Sequence, residues 1–165
     1  MVILLIIFSC RVLSYDTIID VKANLIGNTC TVQKKTMTID MGNVTEKDFI
    51  NHSGDGLWAR EQPFSIVLTD CQGDAVGVMV NFKGEPDLNN SALLSISEGG
   101  AKGLAIRLMD NDKNLIDINA NSKVYALDSN KNINELTFYA RYIMNEGHLT
   151  PGKANATSTF ILEFL

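Results

Sequence analysis

Three cysteines, two histidines and one short aspartate-rich run are the residues of this chain whose types could do chemistry. Cys10 lies just behind the apolar run Val2 to Phe8, whereas Cys30 and Cys71 lie in the remainder. A leader ending at Ser14 removes Cys10 and leaves an even pair, which in an exported protein reads as a disulfide. The chain-entropy estimate for a bridge closing so long a loop is about 4 kcal/mol. Two cysteines do not make a structural zinc site, and neither histidine stands at ligand spacing from them. His52 and His148 both sit in polar, loop-like surroundings, and no Ser or Cys falls in a nucleophile motif. Asp110-Asn-Asp112-Lys-Asn114 resembles the start of a calcium loop, but the positions that require Gly and Glu hold Leu115 and Asn121. It reads as a hairpin turn. The glycines at 54, 56, 99, 100 and 103 match no phosphate-binding pattern and read as turn residues. The sequence therefore proposes no catalytic centre, no metal site and no cofactor.

The elements that carry these residues are strands. With 165 residues, 45% hydrophobic and 20% charged, the chain is long enough for one domain with a sizeable core. Its formal charge of −5 gives no basic surface for nucleic acid. Residues 1–14 read as a secretory leader: the apolar run is too short to span a bilayer, and Val12 and Ser14 are small enough to precede a cut before Tyr15. No Lys or Arg precedes the run, and Arg11 follows it. Four glycosylation sequons, at Asn43, Asn51, Asn89 and Asn155, would matter only in a eukaryotic secretory path.

Strict alternation marks the strands. Ile19, Val21, Ala23 and Leu25 share one parity against Asp20, Lys22 and Asn24. Thr29 to Met41 continues as extended chain, with Gly42 and Asn43 ending it. Thr45 and Asp48 are spaced as a capping box around one helical turn, and 51–56 reads as loop. Phe64, Ile66 and Leu68 lead to Cys71, which is on the opposite parity. Val76, Val78, Val80 and Phe82 follow the turn 72–74. Leu104, Ile106 and Leu108 form another strand, and shorter extended pieces cover 115–118 and 124–127. Leu136, Phe138, Ala140, Tyr142 and Met144 alternate with outward-facing Thr137, Tyr139 and Arg141. Phe160, Leu162 and Phe164 close the chain on one face. Short strands of this kind, without a sustained helical period, imply an antiparallel sandwich.

Several segments together resemble the pilin subunits of chaperone–usher fimbriae of the type 1 kind. They are Asn28-Thr-Cys-Thr-Val32, Ile39-Asp-Met-Gly42, Phe64 to Cys71, Gly103-Leu-Ala-Ile-Arg-Leu-Met-Asp110, Leu136 to Tyr142, Pro151 to Ala156 and a final strand with Phe164 in the penultimate position. The resemblance implies an all-β fold, an incomplete immunoglobulin-like sandwich of six strands whose final G strand is missing and is supplied by donor-strand complementation. It implies three parts: a signal peptide 1–14, a donor-strand extension 15–28 and a pilin domain 29–165. Thr17, Ile19, Val21, Ala23 and Leu25 would be the donor side chains. Phe160, Leu162, Phe164 and Leu165 would form the strand that bounds the acceptor groove and meets the chaperone. Ala23 departs from the Gly common there, and Thr17 is less apolar than usual. The implied partners are a periplasmic chaperone, an outer-membrane usher and neighbouring subunits. The implied location is a fimbrium on the bacterial surface, reached through the periplasm, where the subunit supports adhesion. Eleven alanines are few for a major pilin and point to a minor or adaptor subunit. The other reading of the residues is a self-complete immunoglobulin-like module that recognises a surface ligand.

Overall fold

In the computed structural model, residues 30–52, 56–71 and 75–165 are described. The leader, the extension with Thr17, Ile19, Val21, Ala23 and Leu25, and the turn at 72–74 lie outside them. In chain order the strands are β1 Thr31–Val32, β2 Ile50–His52, β3 Gly56–Trp58, β4 Gln62–Thr69, β5 Gly77–Gly84, β6 Leu104–Met109, β7 Leu115–Ile116, β8 Tyr125–Ala126, β9 Ile133–Met144 and β10 Ser158–Phe164. Their pairings are all antiparallel.

Two sheets result. The larger runs β1-β4-β9-β3-β2, with β6 and then β7 on the other edge of β9. The smaller runs β10-β5-β8. Strand β9 organises the larger sheet. Its first eight residues pair with β4, its last six with β6, and Ile143 with Trp58 of β3.

The alternating residues do what their period requires. Ile66 and Leu68 of β4, Val78, Val80 and Phe82 of β5, Leu136, Phe138 and Ala140 of β9, and Phe160 and Leu162 of β10 are buried between the sheets. Phe138, fully buried, is the hub. Its ring stacks on Phe64 at 5.5 Å and takes Phe82 and Tyr125 edge-on at 5.2 and 5.4 Å. Each such side chain removed from water contributes roughly 1.5–3 kcal/mol, and the edge-to-face geometry adds to it. Burial pushes the Tyr125 hydroxyl up to about 12, with the nearby Asp110 carboxylate acting in the same direction.

Three expectations change. The stretch 51–56 is not simply loop, because Ile50–His52 and Gly56–Trp58 pair as a small hairpin. That hairpin brings Trp58 onto the outer face of β9, where the Arg141 guanidinium stacks 3.8 Å over its ring. Arg141 is on the outward parity, as expected, yet it is buried: the planar cation has found an aromatic cover instead of water. Finally, Met37 to Met41 joins no strand. After Thr31 and Val32, one further bond, from the Gln33 N–H to the Val67 carbonyl, ends the pairing with β4. The capping box does form: the Asp48 carboxylate accepts the Thr45 N–H and hydroxyl at 2.6 and 2.8 Å, around a 3-10 turn Glu46–Asp48. The Thr45 N–H, then its hydroxyl, hold the Asp48 carboxyl below its ordinary range.

The Asp110 turn between β6 and β7 is more than a solvated corner. Asp110 is buried. Its carboxylate accepts the N–H groups of Asp112 and Asn114 at 2.8 and 2.9 Å and lies 3.1 Å from the Lys123 ammonium. Lys123 also pairs with Asp112, so the positive charge between these two carboxylates comes from this lysine. Burial alone would raise the Asp110 pKa. The bonds from Asn114, Lys123 and Asp112 outweigh it and hold the group below its usual range. A depressed carboxylate contributes stability above its unfolded pKa, about 3.9, and loses it as pH falls through the folded value. Asp110→Ala is expected to cost about 1–3 kcal/mol at neutral pH. In Asp110→Asn the melting temperature should fall less steeply below about pH 4 than in the parent, measured by circular dichroism across that range.

Candidate functional site: an open edge and the cleft beside it

Among the described residues, β10 has a partner on one side only. It pairs with β5 from Ser158↔Gly84 to Phe164↔Val78 and is the edge of its sheet. In an antiparallel ladder, alternate residues turn both N–H and C=O away from the partner. Among the described residues no other strand lies on the outer side of this seven-residue strand, so this edge is where a further strand could add. Beside this edge the two sheets are held apart by a cleft of about 760 Å³.

One wall of the cleft is the unpaired stretch Met37 to Val44, and the other is Gly152 to Ala156 with Ser158 and Phe160. Phe64, Phe82, Leu94, Ile106, Leu108, Ala140 and Tyr142 also line it. The first wall is shaped locally. Gly42 adopts φ +68 and donates its N–H to the Asp40 carboxylate at 2.8 Å, a turn that a side chain at Gly42 would strain. The second wall is pinned from below, because the Tyr142 hydroxyl donates to the Ala154 carbonyl at 2.7 Å. Burial, and to a lesser degree Asp40, raise the Tyr142 pKa, so this donor keeps its proton at neutral pH. The same wall is tied to 97–101 by the Ser97 and Ala101 N–H groups, which donate to the Asn155 and Lys153 carbonyls at 2.8 Å each.

A preformed slot with an apolar, aromatic floor beside the last strand of a sheet suits an extended peptide. The edge supplies main-chain hydrogen bonds, and the floor receives every second side chain. Of the residues read from the sequence as bounding the groove, Phe160 lines the cleft directly. Leu162 is buried on the same parity, Phe164 is half-buried, and Leu165 is exposed. Sequence reading did not include the floor residues Phe64, Phe82, Ile106, Leu108, Ala140 and Tyr142. They carried the signal of ordinary core alternation, and only the cleft beside β10 turns part of that core into a floor.

Cys30 and Cys71 form a disulfide. It ties the start of β1 to the end of β4, and Asn134 of β9 reaches the Cys71 sulfur at 3.5 Å. His148 is exposed, and His52 ends β2. Among the described residues, no group of three or more His, Cys, Asp or Glu is placed to hold a metal ion.

The fold defines a class: an incomplete immunoglobulin-like β-sandwich. A fimbrial-protein family model matches residues 19–164. The chain is 35% identical over 161 residues to the uncharacterized fimbrial-like protein YcbV of Escherichia coli, covering 95% of this chain and 91% of that protein. It is 29% identical to the fimbrial subunit type 1 of Salmonella typhimurium over 150 residues, 87% of this chain and 80% of that one. Among solved structures, a Burkholderia pseudomallei antigen and type I fimbria protein superposes with a TM-score of 0.63 at 32% identity, covering 86% of this chain and 91% of that one. The P pilus rod subunit PapA shares the fold, with a TM-score of 0.68 at 20% identity over 83% of this chain and 99% of that one. The chain belongs to the fimbrial protein family. It is a structural subunit of a cell-surface pilus, and its neighbours there are other pilin subunits.

Proposed function

We propose that this subunit joins its pilus by strand exchange, giving residues 15–28 to one neighbour and receiving an equivalent strand in its own cleft. The observation that carries this reading is the place of β10, which among the described residues is the last strand of its sheet, beside an apolar slot. Asp16 to Gly27, fully extended, reaches about 40 Å, enough to run the length of a sandwich. Thr17, Ile19, Val21, Ala23 and Leu25 offer side chains to the slot at two-residue spacing. Phe160, Leu162, Phe164 and Leu165 form the edge that receives the incoming strand. A periplasmic chaperone fills the same slot before assembly, and an outer-membrane usher exchanges one strand for the other. Residues 1–14 direct export to the periplasm and are removed. The role is mechanical and not enzymatic, and the modest alanine content favours a minor or adaptor position.

Val21→Asp tests the outgoing strand. Placing a carboxylate in an apolar slot costs several kcal/mol unless it is neutralised, so the variant should fold in complex with its chaperone yet fail to be captured by a neighbour. Fibre yield, read by electron microscopy and by size-exclusion chromatography of surface extracts, should drop at least tenfold. Fibres containing the variant at parental levels would defeat the reading.

A further inference from the structure

The described residues include six exposed large apolar side chains, and four of them, Val76, Val124, Ile133 and Leu165, gather at one end of the sandwich. The connectivity fixes this. Ile133 of β9 is opposite Thr69 of β4, which is opposite Thr31 of β1, so the three lie in one row across the larger sheet. Cys71 is bonded to Cys30 just beyond that row. Five residues later the Val76 N–H donates to the Leu165 carbonyl at 2.8 Å, and the Leu165 N–H to the Gly77 carbonyl at 2.9 Å. Val124 closes over Gly77: a Cβ there would meet its Cγ1 at 2.7 Å. Val76 is 72% exposed and Ile133 55%. The other two exposed apolar residues, Ile50 and Leu88, lie on other elements.

This end is also where the chain preceding Cys30 enters the domain. We infer that the Val76–Ile133–Leu165 end is a body-to-body contact surface, covered in the fibre by the sandwich of the neighbouring pilin subunit that holds this chain's extension. The inference rests on residues 15–28 being the outgoing strand, and the tether then sets the distance. Asn28 held in a neighbour's slot leaves two residues to Cys30, a reach of at most about 7 Å. The neighbour's body is thereby brought against this end whatever its orientation, and exposed valine and isoleucine are what such a contact buries.

Hydroxyl-radical footprinting of the full chain tests this. One sample is held unassembled by excess Asp16–Gly27 peptide, and the other is assembled into fibres. Oxidation of Val76 and Ile133 should fall at least fivefold on assembly, together with that of Ile19, Val21 and Leu25. The double variant Val76→Glu with Ile133→Glu should leave the melting temperature of the peptide-held subunit unchanged while slowing assembly about tenfold. Protection of Ile19, Val21 and Leu25 without protection of Val76 and Ile133 overturns the contact and leaves strand donation standing. Val76 and Ile133 already protected in the unassembled chain also overturn it, since their cover is then the chain's own. Unprotected Ile19, Val21 and Leu25 in fibres overturn strand donation and, with it, the tether on which the contact depends.

Discussion

Replacing Phe138 with alanine is expected to lower the unfolding free energy by about 3–5 kcal/mol, the cost of emptying a large aromatic site in a packed core. Phe138 is fully buried, and its ring contacts Phe64, Phe82 and Tyr125 together. Two of those partners, Phe64 and Phe82, line the cleft. Removing Phe138 therefore takes away support beneath the slot as well as core volume, and the neighbouring rings cannot collapse into the void without opening the slot's floor. A typical domain has only about 5–15 kcal/mol to lose, and a sandwich short of one strand stands low in that range. Urea denaturation of the peptide-held chain should show the midpoint moving by a large fraction of its parental value with little change in slope. Phe138→Leu, which keeps much of the volume, should recover more than half of the loss. An unchanged midpoint for the alanine variant would mean that the aromatic cluster is not the centre of this core.

The second large effect belongs to the disulfide. Cys30 and Cys71 are 41 positions apart, and closing a loop of that size removes about 4 kcal/mol of entropy from the unfolded chain. The paired variant Cys30→Ser with Cys71→Ser should be destabilised by about 2–5 kcal/mol. The loss should be matched by reduction of the parent with dithiothreitol, because both act on the same bond. The bridge has unusually little to share its task with. β1 is two residues long, and the chain that follows it leaves the ladder after Gln33. Hydrogen exchange should show β1 as the first part of the larger sheet to open once the bridge is gone, ahead of β4, β9 and β6.

The long strands were legible because their period is two and their inward residues are apolar: Ile66 and Leu68, Val78 and Val80, Leu136 and Phe138 announced the faces they occupy. The hairpin Ile50–Trp58 was not legible, since Asn51, His52, Ser53, Gly54 and Asp55 have the composition of a loop. It is anchored by contacts distant in the chain, Trp58 beside Ile143 in the sheet and beneath the Arg141 guanidinium 83 positions away. Met37, Ile39 and Met41 alternate as well as any strand does. They join none because the segment has moved off β4 to become a wall of the cleft, and alternation reports which face is apolar without reporting whether an edge is free to pair. β6 misled in the other direction. Ala105 and Met109, on its outward parity, are fully buried alongside Leu104, Ile106 and Leu108. The last strand was legible in Phe160 and Leu162, but the floor of the cleft beside it comes from four other strands, which no local pattern assembles.

The disulfide has a mechanical reading too. A pull on the chain ahead of Cys30 reaches the sandwich at a strand only two residues long, which alone would peel away one hydrogen bond at a time. The covalent bridge hands the same tension to Cys71 and so to β4, whose eight residues are ladder-bonded to β9 from Gln62↔Ala140 to Thr69↔Ile133. Load entering there runs along the strand and strains those bonds together in shear. The weakest edge of the sheet is thus bypassed, and a thread of such subunits would transmit force through the middle of each domain.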